Sequence, residues 1–319
     1  MIIAQSSDRS GWMSARAGKF TASTFGDLVT DDSGRLKNKV KVEDVTFGST
    51  AMTLIRKVAM QRITGLEQSG VNSAPAERGE QLEEVAMAVL NRYWQPLTRS
   101  AFIEFNNFAG ASPDFVTNEG EATGDIKCPW NAEKFMEFIR INDNDHEAMR
   151  AYDHKYYWQI MMQAFCAGVS TAYLALFDDR QPLLEIDAAW LAEETGYTIP
   201  SGKCAWVVRR FDVTQDVTER IKKTLAAAEY LCQQYEEEYR QQFKPKLVDE
   251  QLQKRIDALL HYGCERAYTT NGAPMLVLEA IERIEIPIER LAMMSEEEYK
   301  VILDKGLTKI LQPIFDYKP

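Results

Sequence analysis

The stretch Gly110–Trp130, GASPDFVTNEGEATGDIKCPW, sets Ser112-Pro113-Asp114 ahead of Gly124-Asp125-Ile126-Lys127, with a polar, glycine-bearing turn between them. Asp and Lys are poor strand formers, yet Phe115, Val116, Ile126 and Cys128 read as short buried strands flanking that turn. Residues two apart on a strand share a face, so Asp125 and Lys127 project together while Ile126 points into the core. Asp114, on the preceding strand, can sit across from them. Two carboxylates and one ammonium suit a hard cation such as Mg²⁺ or Mn²⁺, which keeps several waters and takes phosphate oxygens as further ligands. The lysine can orient or help deprotonate an attacking water whose pKa the metal lowers. A phosphodiester is the natural substrate for such a set. The alternative is a surface hairpin in which the Asp residues only shape turns. Glu83 in RGEQLEE and Gln159 in YYWQIMMQ, both on amphipathic helices, could reach the same pocket.

The elements that must position these residues follow from pattern. SARAGKFTASTFGDLV holds a short helix with Thr21 or Ser23 as its N-cap, and DDSGRLKNKVKVED reads as a polar, basic-rich loop. Met52, Ile55, Val58, Ala59 and Ile63 recur at helical spacing, as do Leu82, Val85, Ala86, Val89 and Tyr93 behind a start signal at Ser73 and Pro75. Three short strands are expected between Leu97 and Cys128. NAEKFMEFIR and HKYYWQIMMQAFCAG are helical, the second ending at a Gly168 C-cap, and STAYLALFD and KCAWVVRRFDV return to strand character. After Asp216 the texture changes to long helices rich in good helix formers, with APMLVLEAI as the one strand-like stretch. The expected architecture is an α/β (α+β) core with a central mixed sheet flanked by helices over residues 1–215, and a helical extension over 216–319. That extension reads as a packing or partner-docking module.

Composition bounds the partners. The chain of 319 residues is 45% hydrophobic and 27% charged, ordinary for a soluble globular protein. No apolar run approaches the roughly 18 residues of a membrane span, and MIIAQSSDRSGW lacks the regions of a signal peptide. Five dispersed cysteines read as reduced, buried thiols, which fits a cytoplasmic location. A net charge of −11 argues against indiscriminate coating of nucleic acid, since that affinity comes from Lys and Arg on phosphates. It leaves room for a local basic groove.

The series ARAGKFTAS, ERGEQLEE, GASPDF, GDIKCPW and YYWQIMMQ resembles, in order, the motifs of the phage lambda exonuclease and YqaJ-type viral recombinase family, within the PD-(D/E)XK nuclease superfamily. The likeness covers roughly residues 9 to 177. It implies a Mg²⁺-dependent 5′-to-3′ exonuclease on double-stranded DNA ends, Mn²⁺ being an acceptable substitute. It further implies homologous recombination with a single-strand annealing protein as partner, a ring-shaped homotrimer that threads the DNA, and a phage or prophage origin in a bacterial host. By position, Asp114 and Asp125 match the metal-binding acids, Glu83 the helix glutamate, the Ile126 carbonyl a backbone metal ligand and Lys127 the water-activating lysine. Gln159 matches the glutamine of the following helix, with Tyr156 one turn before it. Arg16 and Ser23 match the pair that binds the terminal 5′-phosphate, assisted by Ser112. Two departures stand out: Asp125 replaces a frequent Glu, and Glu133 stands where some relatives place a basic phosphate contact.

Other chemistries fare less well. His146, His154 and His261 have no zinc-like spacing, and no G-x-x-x-x-G-K-[ST] loop occurs. His154 reads as a capping or surface residue, Cys128 as a small buried filler, and Trp130 as core or rim packing, with base stacking as the alternative. An endonuclease of the same superfamily and a non-catalytic DNA-end-binding scaffold remain open. Arg16 with Ser23 separates an end-reading enzyme from an internal cutter, and the intact Asp114, Asp125 and Lys127 weigh against the scaffold.

Overall fold

The computed structural model describes residues 2–4, 9–29, 39–65, 74–117, 119–200, 202–242, 250–261, 264–268, 274–279 and 283–304. The chain divides into two compact units, Met1–Glu238 and Tyr239–Pro319. The first contains β1 (Ile2–Ala4), α1 (Arg9–Arg16), β2 (Phe20–Thr21), α2 (Ala22–Leu28), β3 (Val40–Val42), β4 (Val45–Phe47) and α3 (Ser49–Thr64). It continues through α4 (Ala74–Tyr93), β5 (Leu97–Arg99), β6 (Phe102–Asn106), β7 (Ala109–Ala111), β8 (Phe115–Thr117) and β9 (Ala122–Lys127). Then come α5 (Ala132–Phe138), α6 (His146–Tyr152), α7 (His154–Ala167), β10 (Thr171–Asp178), β11 (Leu184–Glu185), α8 (Ala188–Thr195), β12 (Lys203–Asp212) and all but the last turn of α9 (Gln215–Gln242).

A six-stranded mixed sheet in the order β11-β12-β10-β9-β8-β5 forms the centre. Strand β10 runs parallel to β9 and antiparallel to β12, and its two faces feed different cores. Leu174 and Leu176 join the α7 side with Trp158, Ile160 and Met161, whereas Ala175 and Phe177 join Ile126 and the α4 residues Leu82, Val85 and Val89. Burial on both faces explains why β10 reads as a nearly continuous apolar run. A smaller sheet, β1-β6-β7-β2, stands beside it, and the stretch from Ala111 to Phe115 passes from one sheet to the other. This is the expected mixed sheet flanked by helices. Among the described residues no helix is long and apolar enough to cross a membrane.

Several local expectations change. Five strands, not three, lie between Leu97 and Lys127, because β6 and β7 turn back to serve the smaller sheet. Within the supposed basic loop, Val40–Val42 pairs with Val45–Phe47 as a hairpin, its turn made by Glu43 at a positive φ of 50°. Residues 31–38 of that loop, and Ser73, lie outside the described residues. Thr21, not Ser23, occupies the N-cap position of α2, and its side chain makes no cap hydrogen bond.

The boundary placed at residue 215 falls inside the first unit. Helix α9 buries Val217, Ile221, Leu225, Ala228 and Cys232 in the same core as α7, so the change in sequence texture marks a surface helix and not a domain edge. The second unit is not purely helical. Alongside α10 (Glu250–His261) it holds the antiparallel sheet β13 (Glu265–Tyr268), β14 (Pro274–Glu279) and β15 (Arg283–Pro287), then α11 (Ile288–Met293). Its own core joins Ile256, Leu259, Leu276, Ile286 and Leu291.

Gly124 shows how tightly the hairpin is built. It pairs directly with Phe115, and a Cβ there would lie 2.0 Å from the ring of that fully buried residue. Gly124→Ala is therefore expected to destabilise the first unit by about 1–3 kcal/mol through overpacking. Denaturant titration checks this, and an unchanged midpoint would show that the Phe115 ring can move aside.

Candidate active site

Strand β8 begins after Pro113, which has no N–H and keeps Ser112 extended. The Asp114 N–H donates to the Gly124 carbonyl at 3.0 Å, and the Ile126 N–H donates back to Asp114 Oδ2 at 2.6 Å. The Asp114 carboxylate thus takes over where the β8–β9 ladder ends. Its position is fixed by backbone.

Asp125 is 1% exposed, on the face of β9 that meets α7. Its Oδ1 accepts from Gln159 Nε2 at 2.7 Å and from Gln163 Nε2 at 2.8 Å. These two amides lie one helical turn apart, so α7 presents both to the same oxygen. Asp125 Oδ2 is buried without a hydrogen bond and faces the Lys127 ammonium as an ion pair. The ammonium also lies 5.2 Å from the centroid of the Tyr156 ring. Gln163, absent from the expected set, belongs in it by the spacing of QIMMQ alone.

The electrostatics follow from crowding. Burial pushes the Asp114 carboxyl well above the usual range, and Asp125 and Glu83 push it further, against Lys127 and the Ile126 N–H. Burial works against the Lys127 ammonium, yet Asp125 and Asp114 outweigh it and raise its pKa. Lys127 is held charged, as a donor. Cys128, half-buried beside it, has its thiol pushed up to about 12, mainly by burial. It stays protonated and inert, as expected of a filler.

Glu83 sits on α4, on the other side of the sheet, and its Oε1 accepts from Arg99 Nη1 at 2.8 Å. It acts on Asp114 electrostatically but does not join the two aspartates in one cluster. Among the described residues no three His, Cys, Asp or Glu side chains form a ready metal cage. Asp114, Asp125 and the Ile126 carbonyl are the oxygen donors that β8 and β9 place together.

A second group adjoins the first through Ser112. Arg16 Nη1 donates to Ser112 Oγ at 3.3 Å and Nη2 to Ser23 Oγ at 3.2 Å. Trp12, one turn earlier on α1, donates from Nε1 to Ser112 Oγ at 3.0 Å, and its ring lies 4.1 Å from the guanidinium carbon. Sequence reasoning missed Trp12, although its spacing from Arg16 puts both on one helix face. The Ser112 carbonyl accepts from Gln163 Nε2 at 3.3 Å, so one amide touches both groups. His154 caps a neighbouring helix: its Nε2 lies 2.9 Å from the Val29 carbonyl and 3.2 Å from that of Gly26, at the end of α2. Glu133 opens α5, which follows the Lys127 strand.

Comparison with known proteins places these residues in context. The family model described as YqaJ-like viral recombinase domain matches residues 11–170, half of the chain. The curated proteins contain no match. The solved structure of an alkaline exonuclease, LHK-Exo, from Laribacter hongkongensis aligns with a TM-score of 0.53 at 19% identity, covering 73% of this chain and 97% of that one. The same enzyme in complex with dAMP gives 0.51 over the same coverage, again at 19% identity. A phage-related exonuclease from Haemophilus somnus gives 0.48 at 18% identity, over 69% of this chain and 96% of that one. At these identities the likeness is one of fold.

Proposed function

Because the chain belongs to the YqaJ-like viral recombinase domain family, we propose that it is a Mg²⁺-dependent 5′-to-3′ exonuclease degrading one strand of double-stranded DNA ends, in recombination by strand annealing. The observation that carries this reading is the direct junction of two groups. Arg16, Ser23 and Ser112 form one, and Asp114, Asp125 and Lys127 the other, with Ser112 and Asp114 two residues apart. The alkaline exonuclease fold and its dAMP complex agree with a mononucleotide product. The annealing partner and a homotrimeric ring rest on the family resemblance.

The donor set fits a hard divalent cation. Burial, with Asp125 and Glu83 nearby, pushes the Asp114 carboxyl well up, and the buried Asp125 Oδ2 has the Lys127 ammonium as its partner. Asp114, Asp125 and the Ile126 carbonyl would hold Mg²⁺, leaving its other positions to water and phosphate. When bound, Mg²⁺ supplies Lewis acidity and a more acidic water. The chain's residues do the rest. Gln159 and Gln163 fix the Asp125 carboxylate, and the Lys127 ammonium donates to the phosphate as negative charge builds on its oxygens. With Asp125 and Asp114 beside it, Lys127 is placed to donate to the phosphate or to orient the attacking water. The attacking water adds its oxygen to phosphorus and the 3′-oxygen leaves with a proton, so each cut exposes a new 5′-phosphate.

The Arg16 fork suits that phosphate, because a guanidinium offers paired donors in a rigid plane. Linear duplex labelled at either end, incubated with Mg²⁺ and with chelator, tests the whole reading. Loss of label should start from 5′ ends, stop in chelator, and run faster on 5′-phosphate than on 5′-hydroxyl ends. Arg16→Ala should erase that preference more than it slows cutting. Internal fragments from circular DNA would instead mean an endonuclease, and equal wild-type rates on both ends would remove the phosphate pocket.

A further inference from the structure

Trp130 is 52% exposed, three residues beyond Lys127. The expected burial in core or rim does not occur. An indole normally buries most of its large area, so a half-bare ring three residues along the chain from Lys127 leaves a flat apolar face open to an occupant.

The backbone beneath the ring is pinned. Arg180 Nη1 donates to the Trp130 carbonyl at 2.8 Å, and Nη2 to the Pro129 carbonyl at 2.9 Å. The same guanidinium is set by Asp178, 0% exposed, through Nε at 2.8 Å and Nη2 at 3.0 Å. Asp178 ends β10, whose Leu176 pairs with Lys127 on β9. Two neighbouring strands thus fix the backbone of Trp130 relative to the ammonium.

Reach decides the occupant. Three residues span at most ~11 Å, at ~3.3–3.6 Å each. Stacked bases rise ~3.4 Å per step along one strand, so a base one to three steps from a phosphate at Lys127 lies within range. A flat aromatic on a fixed backbone has few torsions to order on stacking.

We infer that Trp130 is a stacking platform for a nucleobase next to the phosphate held at Asp114, Asp125 and Lys127. This rests on the nuclease reading and adds to it a base contact that is independent of sequence, since every base offers a π-face.

The test uses the full chain carrying Lys127→Ala, so that DNA stays uncut in Mg²⁺, and a 5′-phosphorylated duplex with 2-aminopurine at one of the first three 5′ positions. Binding should change the emission most strongly at one position. Adding Trp130→Ala should abolish that change and weaken binding by roughly 5- to 150-fold, the ratio corresponding to the usual worth of one stacked base. Trp130→Phe should restore most of both. Unchanged emission and affinity in Trp130→Ala, while the wild-type chain degrades duplex normally, would overturn the platform alone. Failure of the wild-type chain to degrade duplex, with no binding by the Lys127→Ala chain, would overturn the nuclease reading and the platform with it.

Discussion

Lys127→Ala is expected to reduce strand degradation by roughly 10²- to 10³-fold, the usual loss when one positioned electrostatic group is removed, and to leave the fold intact. The expectation follows from what holds Lys127. Its side chain, 23% exposed, stands at the end of β9, with the ammonium paired with Asp125 and facing the ring of Tyr156. It contributes little to the core, so removing it spares packing. It does leave Asp125 and Asp114 facing one another with less positive charge between them, so a small stability change accompanies the loss of rate. Circular dichroism and thermal melting report the fold, and initial rates on linear duplex report the chemistry. Near-normal turnover in a well-folded variant would remove the nuclease assignment.

Arg62→Met is expected to lower the stability of the first unit by about 3 kcal/mol, at the low end for breaking a buried ion pair. In a unit of this size that corresponds to ~6–12 °C in melting temperature. Arg62, at the end of α3, forks onto Glu229 at 2.9 and 2.7 Å and reaches Glu236 at 3.2 Å, both on α9. The three side chains are 18%, 11% and 13% exposed. Its Nε also donates to the Gly18 carbonyl at 2.6 Å, holding a turn at a φ of +71° between α1 and β2. Removing the cation strands a largely buried carboxylate. Replacing Glu229 with Met in the same chain should recover part of the loss, because an apolar pair of similar size has no charge to desolvate. Additive losses in the double variant would show that the pair is not coupled.

The centre of the site was legible because its signals are local. Asp114, Asp125 and Lys127 declare themselves by two-residue strand spacing around one turn, and Gln159 by its helix. Gln163 was equally visible, four residues further along, and went unassigned only because one glutamine met the expectation. Arg99, Arg180 and Arg62 were not legible. Glu83, the Trp130 carbonyl and Glu229, to which they donate, lie 16, 50 and 167 residues away, and no periodicity encodes such pairings. The second unit was misjudged for another reason. Arg283-Ile284-Glu285-Ile286 alternates as a strand should, but a run that short between charged helices carries little weight beside the long helix before it. Exposure of Trp130 was beyond sequence, since nothing in CPW tells a buried indole from a bare one.

Ser112, Pro113 and Asp114 make up the crossing between the two sheets, and this has a mechanical consequence. The middle residue has its φ fixed by a ring, the first is anchored by Trp12 and Arg16, and the last by the Ile126 N–H. Gln163 clamps the same crossing from behind, at the Ser112 carbonyl and at Asp125. Such a link can neither stretch nor coil, so the offset between the two ends is a gauge of set length. On the proposed reading, a 5′-phosphate held at the Arg16 end would be measured off against that gauge at the aspartates.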